Sequence, residues 1–559
     1  MIIKQRSISS EPIGLDPVLD RIYRGRNIAS KADVDYQLEK LLPYQTLLDI
    51  DKAVVLLYQA YKDSLSIIVI GDYDVDGATA TTVMVSGLKE MGLENVGYLI
   101  PNRLLDGYGL TPKLVDKAKA LGADLIITVD NGIVSYSGVE RAKELGISVL
   151  ITDHHLASDQ RPDAVIVNPN QKGCSFASKA IAGVGVAFYV LIALRAYFRE
   201  KGVFDKGPNL LAYLDLVALG TIADCVTLDF NNRILVSKGL EIMRAGKARA
   251  GIKALLKLAK RSPMLLESDD MGFAVAPRLN AAGRLEDMSI GVKCLLAQSD
   301  HDAMFLAQQL DGINNLRRSM QKEMIDEALS YVEKLSLLDY SIMIVYQQSW
   351  HEGIIGLVAS MLKEKFHLPS IALTKDDSGV LKGSCRSIPG LNIRDLLVEY
   401  DRTSPNDLLK FGGHAMAAGF SLKKESLDSF TSKMSKLASI SVDEKMRQKD
   451  LWVDGSLPSD HRTIQFAKTL MKSGPWGNGF EKPLFYDEFE ICEQYRVGGS
   501  HLKLVLSDQS KVYQAIWFNV ENDWPKHDCQ RASVVYHLQI NEFNQRRQLQ
   551  LLIVAIIPI

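Results

Sequence analysis

The chain has only six cysteines in 559 residues (Cys174, Cys225, Cys294, Cys385, Cys492 and Cys529), and no two of them form a CxxC pair. That scarcity excludes a zinc ribbon and a disulfide framework, and it suits a reducing cytoplasm. An apolar run long enough to cross a bilayer is missing, as is an N-terminal stretch of signal-peptide character. The expectation is therefore a soluble, cytoplasmic protein with no membrane partner. An excess of one charge is also missing: the formal net charge is −2, so nucleic acid would have to be bound by local patches. Internal repeats and low-complexity tracts are absent. What is present is ordinary globular content, 47% hydrophobic, over a length that implies several domains.

From residue 65 to about 170 strand and helix patterns alternate. Short β-branched runs at 65–70, 96–100, 124–129, 147–152 and 164–167 are separated by helical periodicity near 79–91, 112–121 and 136–145. This is the pattern of a parallel sheet covered on both faces, the α/β class. Residues 181–200 and 209–222 read as helices. AGVGVAF (182–188) lacks the third glycine of a dinucleotide fingerprint and reads as close helix packing. A Pro-free stretch from about 301 to 335 spaces Leu306, Leu310, Ile313, Leu316, Met320, Met324, Ala328 and Val332 three or four apart, which predicts one long helix. Alternation resumes at 341–346 and runs to about 437. The charged segment 443–450 reads as a junction, and the short alternating runs beyond it predict a small antiparallel β domain.

IIVIGDYDVDGATATTVM (67–84) holds three alternating carboxylates, Asp72, Asp74 and Asp76, which suggest half of a calcium-binding EF-hand loop. That reading fails twice. Loop position 12 is Val83 instead of Glu, and a strand precedes the loop instead of a helix. The position of the acids is more telling. Asp72 and Asp74 follow one predicted strand, Asp130 another, and Asp153-His154-His155 a third, while Asp224 ends the apolar segment 216–222. In a parallel sheet the crevice beyond the carboxyl ends of the strands binds ligands. Taken singly, each of these is an ordinary cap or turn residue. Together they form a mutually repelling, oxygen-rich set with histidine, suited to Mn²⁺ or Mg²⁺ and large enough for two ions.

GDYDVDG (71–77), TVDNGI (128–133), TDHH (152–155) and LGTIADCVTL (219–228) resemble, in order, the metal motifs of the DHH phosphoesterase superfamily. APRLNAAGRL (276–285), SWHEGIIGLVAS (349–360), GSCRS (383–387) and FGGHAMAAGF (411–420) resemble further motifs of its single-strand-specific exonuclease branch and the DHH-associated domain. WGNGFEKPLF (476–485) and VGGSHLKLVL (497–506) resemble the entry to that branch's OB-fold. The resemblance implies a parallel-sheet DHH domain over 1–300 with an N-terminal extension (1–45) and a connecting helix over 301–337. A DHH-associated α/β domain would follow over 338–440, then an OB-fold β-barrel over 441–559. The implied metal ligands are Asp72, Asp74, Asp130, His154 and Asp224, with Asp76 and His155 as close supports and His155 as a candidate phosphate contact. One departure stands out: many relatives have a His where this chain has Ile70, which continues the strand.

The implied reaction is a two-metal 5′→3′ exonucleolytic hydrolysis of single-stranded DNA to 5′-mononucleotides in recombination and repair. Cys225, beside Asp224, is read as a filler. Arg278, Asn280 and Arg284 fall in a stretch whose proline and glycine argue against an uninterrupted helix. With His351, Arg386 and His414 they supply the phosphate and DNA contacts that the resemblance implies. In the C-terminal domain Tyr513, Trp517, Arg546 and Arg547 are candidates for stacking and phosphate contact. Residues 451–559 hold 11 Lys and Arg against 12 Asp and Glu, so this is not a basic module. The family's partners, single-strand-binding protein and a helicase, are implied with a monomeric state. A DHH phosphodiesterase acting on short oligonucleotides or cyclic dinucleotides is the alternative, and a non-enzymatic scaffold on a decayed core is disfavoured by the intact acids.

Overall fold

A computed structural model describes every residue except Met1, Ser9, Leu104 and residues 333–339, 521–523, 525–528 and 544–545. The chain forms two compact units, one comprising residues 5–311 and 452–559, the other residues 1–4 and 312–451.

In the first unit five parallel strands, β1 (Ile67–Ile70), β2 (Val96–Leu99), β3 (Leu125–Val129), β4 (Ser148–Thr152) and β5 (Val165–Val167), lie in the order β2-β1-β3-β4-β5. β1 and β3 are buried along their whole length, as continuous Ile/Val/Leu runs require when helices cover both faces. Its helices include α1 (Val75–Glu90), α2 (Gly183–Glu200), α3 (Leu214–Ala223) and α4 (Ala276–Leu285), and α5 (Asp300–Val332) begins in this unit and continues into the second. α1 and α2 pack so closely that a side chain at Gly87 would collide with Leu191. Ile70 is fully buried and paired with Leu99 and Thr128.

The stretch 276–285, expected to be an interrupted loop, is the helix α4, entered through a one-turn π-helix Met271–Val275. Pro277 is the second residue of α4, directly after that π-turn. Gly283 is required because a Cβ there would lie 1.8 Å from the Tyr73 carbonyl oxygen. The long helix appears as α5, and the last positions of the expected span, 333–337, lie outside the described residues.

In the second unit, strands β6 (Met343–Tyr346), β7 (Ser370–Lys375), β8 (Leu381–Arg386), β9 (Leu408–Gly413) and β10 (Ala417–Leu422) form a mixed sheet ordered β9-β10-β8-β7-β6. Only the β6–β7 pair is parallel. Back in the first unit, β11 (Phe485–Val497), β12 (His501–Ser507), β13 (Val512–Trp517), β14 (Arg531–Phe543) and β15 (Arg546–Pro558) close a barrel in the order β11-β12-β13-β15-β14. Closure removes the exposed edges that a small sheet would otherwise present. Leu502, Leu504 and Leu506 alternate into its core. Among the described residues no helix is long and apolar enough to cross a membrane.

Candidate metal centre

Beyond Ile70 the chain folds back over the first turn of α1. Glycine is obligatory at 71 and 77, because a Cβ would meet Thr81 Oγ1 at 2.1 Å or the Asp72 backbone at 2.5 Å. Asp74 caps α1, its Oδ1 accepting from the Gly77 amide at 3.0 Å. Asp130 follows β3 with a left-handed backbone, φ +63°. The side-chain amide of the buried Asn131 ties this corner down by donating to the carbonyls of Ile70 (3.2 Å) and Val129 (2.9 Å). His154 follows β4, and Asp224 is the C-cap residue of α3.

These segments, up to 152 residues apart, converge. Ligand atoms of Asp72, Asp74 and Asp130 lie within 4.8 Å of one another, as do those of Asp130, His154 and His155, and those of Asp76, His154 and Asp224. His154 Nε2 is 3.1 Å from Asp130 Oδ1 and 3.5 Å from Asp224 Oδ2. Asp72 Oδ1, Asp130 Oδ1 and His154 Nε2 are buried without a hydrogen-bond partner. Burial first, then neighbouring carboxylates, pushes Asp72, Asp130 and Asp224 well above the ordinary carboxylate range. Burial, and then the adjacent His155, lowers His154 to about 4, which leaves its imidazole neutral with a lone pair to offer. Orphaned acceptors in a hard, acid-rich set fit Mn²⁺ or Mg²⁺.

The supports are as well defined as the ligands. Both oxygens of Asp76 accept from the first amides of α2, Gly183 at 2.6 Å and Val184 at 2.9 Å. Burial, then Asp74, pushes Asp76 up to about 7. A side chain at Gly183 would strike the Asp130 carboxylate at 2.6 Å, so the glycines of 182–188 serve packing. Asp153 Oδ1 accepts from His155 Nδ1 (2.7 Å) and from the amides of His154 (2.7 Å) and His155 (3.1 Å). Its Oδ2 accepts from Ile133 N at 2.9 Å. Against the opposing effect of burial, the Asp153 bond raises His155 to about 9 and the same bond keeps Asp153 low.

Sequence reasoning did not single out several neighbours. Asn170 and Asn168 donate to the carbonyls of His154 (2.5 Å) and His155 (3.0 Å). Tyr108 places its hydroxyl 3.3 Å from the His155 ring nitrogens and its ring edge-on to Tyr73, over which Arg103 lies at 4.9 Å. The available signal was GYG (107–109), whose glycines both have φ +78°.

The predicted phosphate contacts divide. Asn280 Oδ1 accepts from Val75 N at 3.1 Å and so fastens α4 to the metal loop. Arg284 is near enough to act on the Tyr73 hydroxyl. Arg278 is instead committed to Asp311 (2.8 Å) and the Ala274 carbonyl. In the second unit His351 caps the helix Glu352–Phe366, accepting from Gly353 N at 3.1 Å. Gly356 of that helix lies against Arg386. Arg386 opposes Ala417 across β8–β10, and the His414 amide bonds the Ala417 carbonyl. These three residues thus gather at one end of their sheet.

In the barrel, Tyr513 faces inward, 5% exposed, with its hydroxyl on Asp508, so it is not a stacking surface. Trp517 is half-buried, edge-on to Trp524. Arg546 and Arg547 stand at the start of β15 opposite Phe543 and Glu542. Arg547 pairs with Glu542 at 2.7 Å.

Residues 66–221 match the family model for the DHH family N-terminal domain, 339–439 the DHHA1 domain and 453–555 the RecJ OB domain. The single-stranded-DNA-specific exonuclease RecJ of Salmonella typhimurium is 46% identical over 98% of this chain and 97% of its own length. Its counterpart in Haemophilus influenzae is 44% identical over 100% and 99%. The crystal structure of RecJ in complex with Mn²⁺ from Thermus thermophilus superposes with a TM-score of 0.81. It is 26% identical, over 99% of this chain and 79% of that one. A manganese-bound exonuclease RecJ is 30% identical with a TM-score of 0.61, over 73% and 98%. With matching domains in the same order and near-full-length identity to these proteins, the chain belongs to the RecJ family of DHH proteins.

Proposed function

We propose that this chain is a divalent-metal-dependent nuclease that hydrolyses single-stranded DNA from its 5′ end to 5′-mononucleotides, serving recombination and repair in the cytoplasm. Asp72, Asp74, Asp130, His154 and Asp224 would hold two ions. One observation carries this reading: four separate segments bring their ligand atoms into linked groups of three, Asp72 with Asp74 and Asp130, and Asp224 with His154 and Asp76, each group within single-ion reach and with buried acceptors unsatisfied. Bound Mn²⁺ or Mg²⁺ would supply Lewis-acid activation of water and of the scissile phosphoryl group.

The chain's own residues do the rest. Asp153 keeps His155 protonated at its ring and aimed at the rim, where an imidazolium donates to a phosphate oxygen. Asp76 locks the start of α2 behind Asp130. Arg284, His351, Arg386 and His414 are proposed as further phosphate contacts, and residues 1–300, 301–337, 338–440 and 441–559 as the functional division of the chain. Single-strand-binding protein and a helicase are the proposed partners of a monomer.

The test is polarity. With Mn²⁺, a single strand blocked at its 5′ end should resist digestion while a 3′ block has no effect. Equal digestion of both would remove the 5′→3′ assignment.

A further inference from the structure

Behind the segment that carries Asp224, the first unit contains a cavity of about 1010 Å³. One wall is the stretch Thr221–Leu228 itself. Trp452 and Trp476, which precede the barrel, and Leu552 of β15 form another. The two walls are fastened together. Asn478 Nδ2 donates to the Cys225 carbonyl at 2.8 Å, and Leu228 N donates to the Asn478 carbonyl at 2.8 Å. A Cβ on Gly477 would meet Leu228 at 2.8 Å, and one on Gly479 would meet Thr227 at 2.6 Å. The cavity is therefore preformed, as ligand sites generally are.

Two aromatic rings on it are unusually bare. Phe273 is 81% exposed and Trp452 is 46% exposed. A phenylalanine so uncovered buries little of its ring on folding and leaves an apolar face open on this wall. Phe273 stands on the π-turn Met271–Val275, an irregularity often found at functional positions. The same helical run continues into α4, where Asn280 grips the metal loop. Seven residues of helix put the two about 10 Å apart along its axis.

The charges on the wall cancel locally. Lys482 is paired with Glu267 and Asp269, and Arg6 with Glu481 at 3.2 Å. His537 gives its Nδ1 proton to the Pro483 carbonyl at 2.7 Å. Such a lining suits flat, uncharged rings better than phosphates.

We propose that this cavity receives the unpaired nucleobases of the substrate strand next to the metal centre, with Phe273 and Trp452 as stacking partners. The inference rests on the single-strand nuclease reading. It moves base stacking from strand β13, where Tyr513 is buried, to the junction of the parallel-sheet domain and the barrel.

The test uses the full chain with Mn²⁺ and single strands that carry 2-aminopurine at successive positions and an uncleavable methylphosphonate first linkage. Quenching should appear at positions near the 5′ end and be lost in Phe273→Ala and Trp452→Ala. Each variant should weaken binding of a 20-mer roughly 10-fold. In steady-state digestion the change should fall on KM and not on kcat, and it should shrink as the strand is shortened to a dinucleotide. Phe273→Tyr and Trp452→Phe, which keep a ring, should restore quenching and affinity. Variants that keep parental quenching and affinity would overturn the proposal, as would equal losses on every length of strand. A parental chain that neither binds nor digests single strands would overturn the nuclease reading itself, and this proposal with it.

Discussion

Two carboxylate clusters of this molecule treat their charge in opposite ways. In the barrel, the buried Arg462 lies between Asp487 (3.0 Å) and Asp508 and also donates to the Tyr536 hydroxyl at 3.1 Å. Tyr536 in turn donates to Asp487 at 2.8 Å, and Tyr513 to Asp508 at 2.9 Å. Although burial opposes it, hydrogen bonds from Ser510, Lys511 N and Tyr513 hold Asp508 down to about 2. At the metal centre, by contrast, no lysine or arginine among the described residues pairs with Asp72, Asp74, Asp130 or Asp224. Of the two histidines beside them, His154 is kept neutral, and the protonated His155 is hydrogen-bonded to Asp153. A cluster that satisfies itself stabilises the fold. One left unsatisfied is destabilising until a cation arrives, and that is how a structural ion network differs from a metal site.

The sharpest way to break this comparison is a pair of variants. Asp130→Ala should lower turnover by more than roughly 10³-fold while the metal-free protein melts no lower than the parent, because a repelling charge has been removed. Arg462→Ala should do the reverse. It strands two buried carboxylates at about 3–5 kcal/mol, yet should leave turnover per folded molecule intact. Similar melting losses in both variants would erase the distinction.

A smaller effect is expected one layer out. Asp153→Asn keeps the shape but loses the charge that holds His155 protonated, and kcat should fall roughly 10–100-fold. Its alkaline limb, set by His155 near 9, should move to lower pH. A purely structural role for Asp153 would leave the pH profile in place.

The smallest expected effect is in metal-free stability. Asp76 titrates near 7, above the ordinary carboxylate value, so the folded protein binds more protons than the unfolded chain between about 4 and 7. Stability should therefore decline as pH rises through that window. Mn²⁺ should reverse the decline, with a thermal shift that grows with pH because binding expels protons. Asp130→Ala should show little of that shift. A shift independent of pH would mean that the ion binds elsewhere.

Much of this was legible in advance for definite reasons. The five β-branched runs emerged as strands within about two residues of their expected ends, because burial on both faces leaves no other periodicity possible. That Asp72, Asp130 and His154 fall at the carboxyl ends of those strands follows from chain order alone. The stretch 276–285 was misread because proline and glycine are local breaking signals. In place, Pro277 is in a first turn, and Gly283 is there for Tyr73, 210 residues earlier in the chain. Tyr513 was misread because alternation says that every second residue faces the core but not which set does. Arg278 is expected as a phosphate contact because nothing local announces its bond to Asp311.

The order of residues was by itself enough to determine the α/β class, the strand ends, the acidic loop and the family, since these depend on short-range sterics, periodicity and motif spacing. Only the folded chain decided that α2 presents its first amides to Asp76 and its glycine to Asp130, and that the loop bearing Asn478 closes on Cys225. It likewise left Phe273 bare above a cavity. Those outcomes depend on how distant surfaces interlock, and close packing of remote side chains leaves no signature in the local pattern of any one segment.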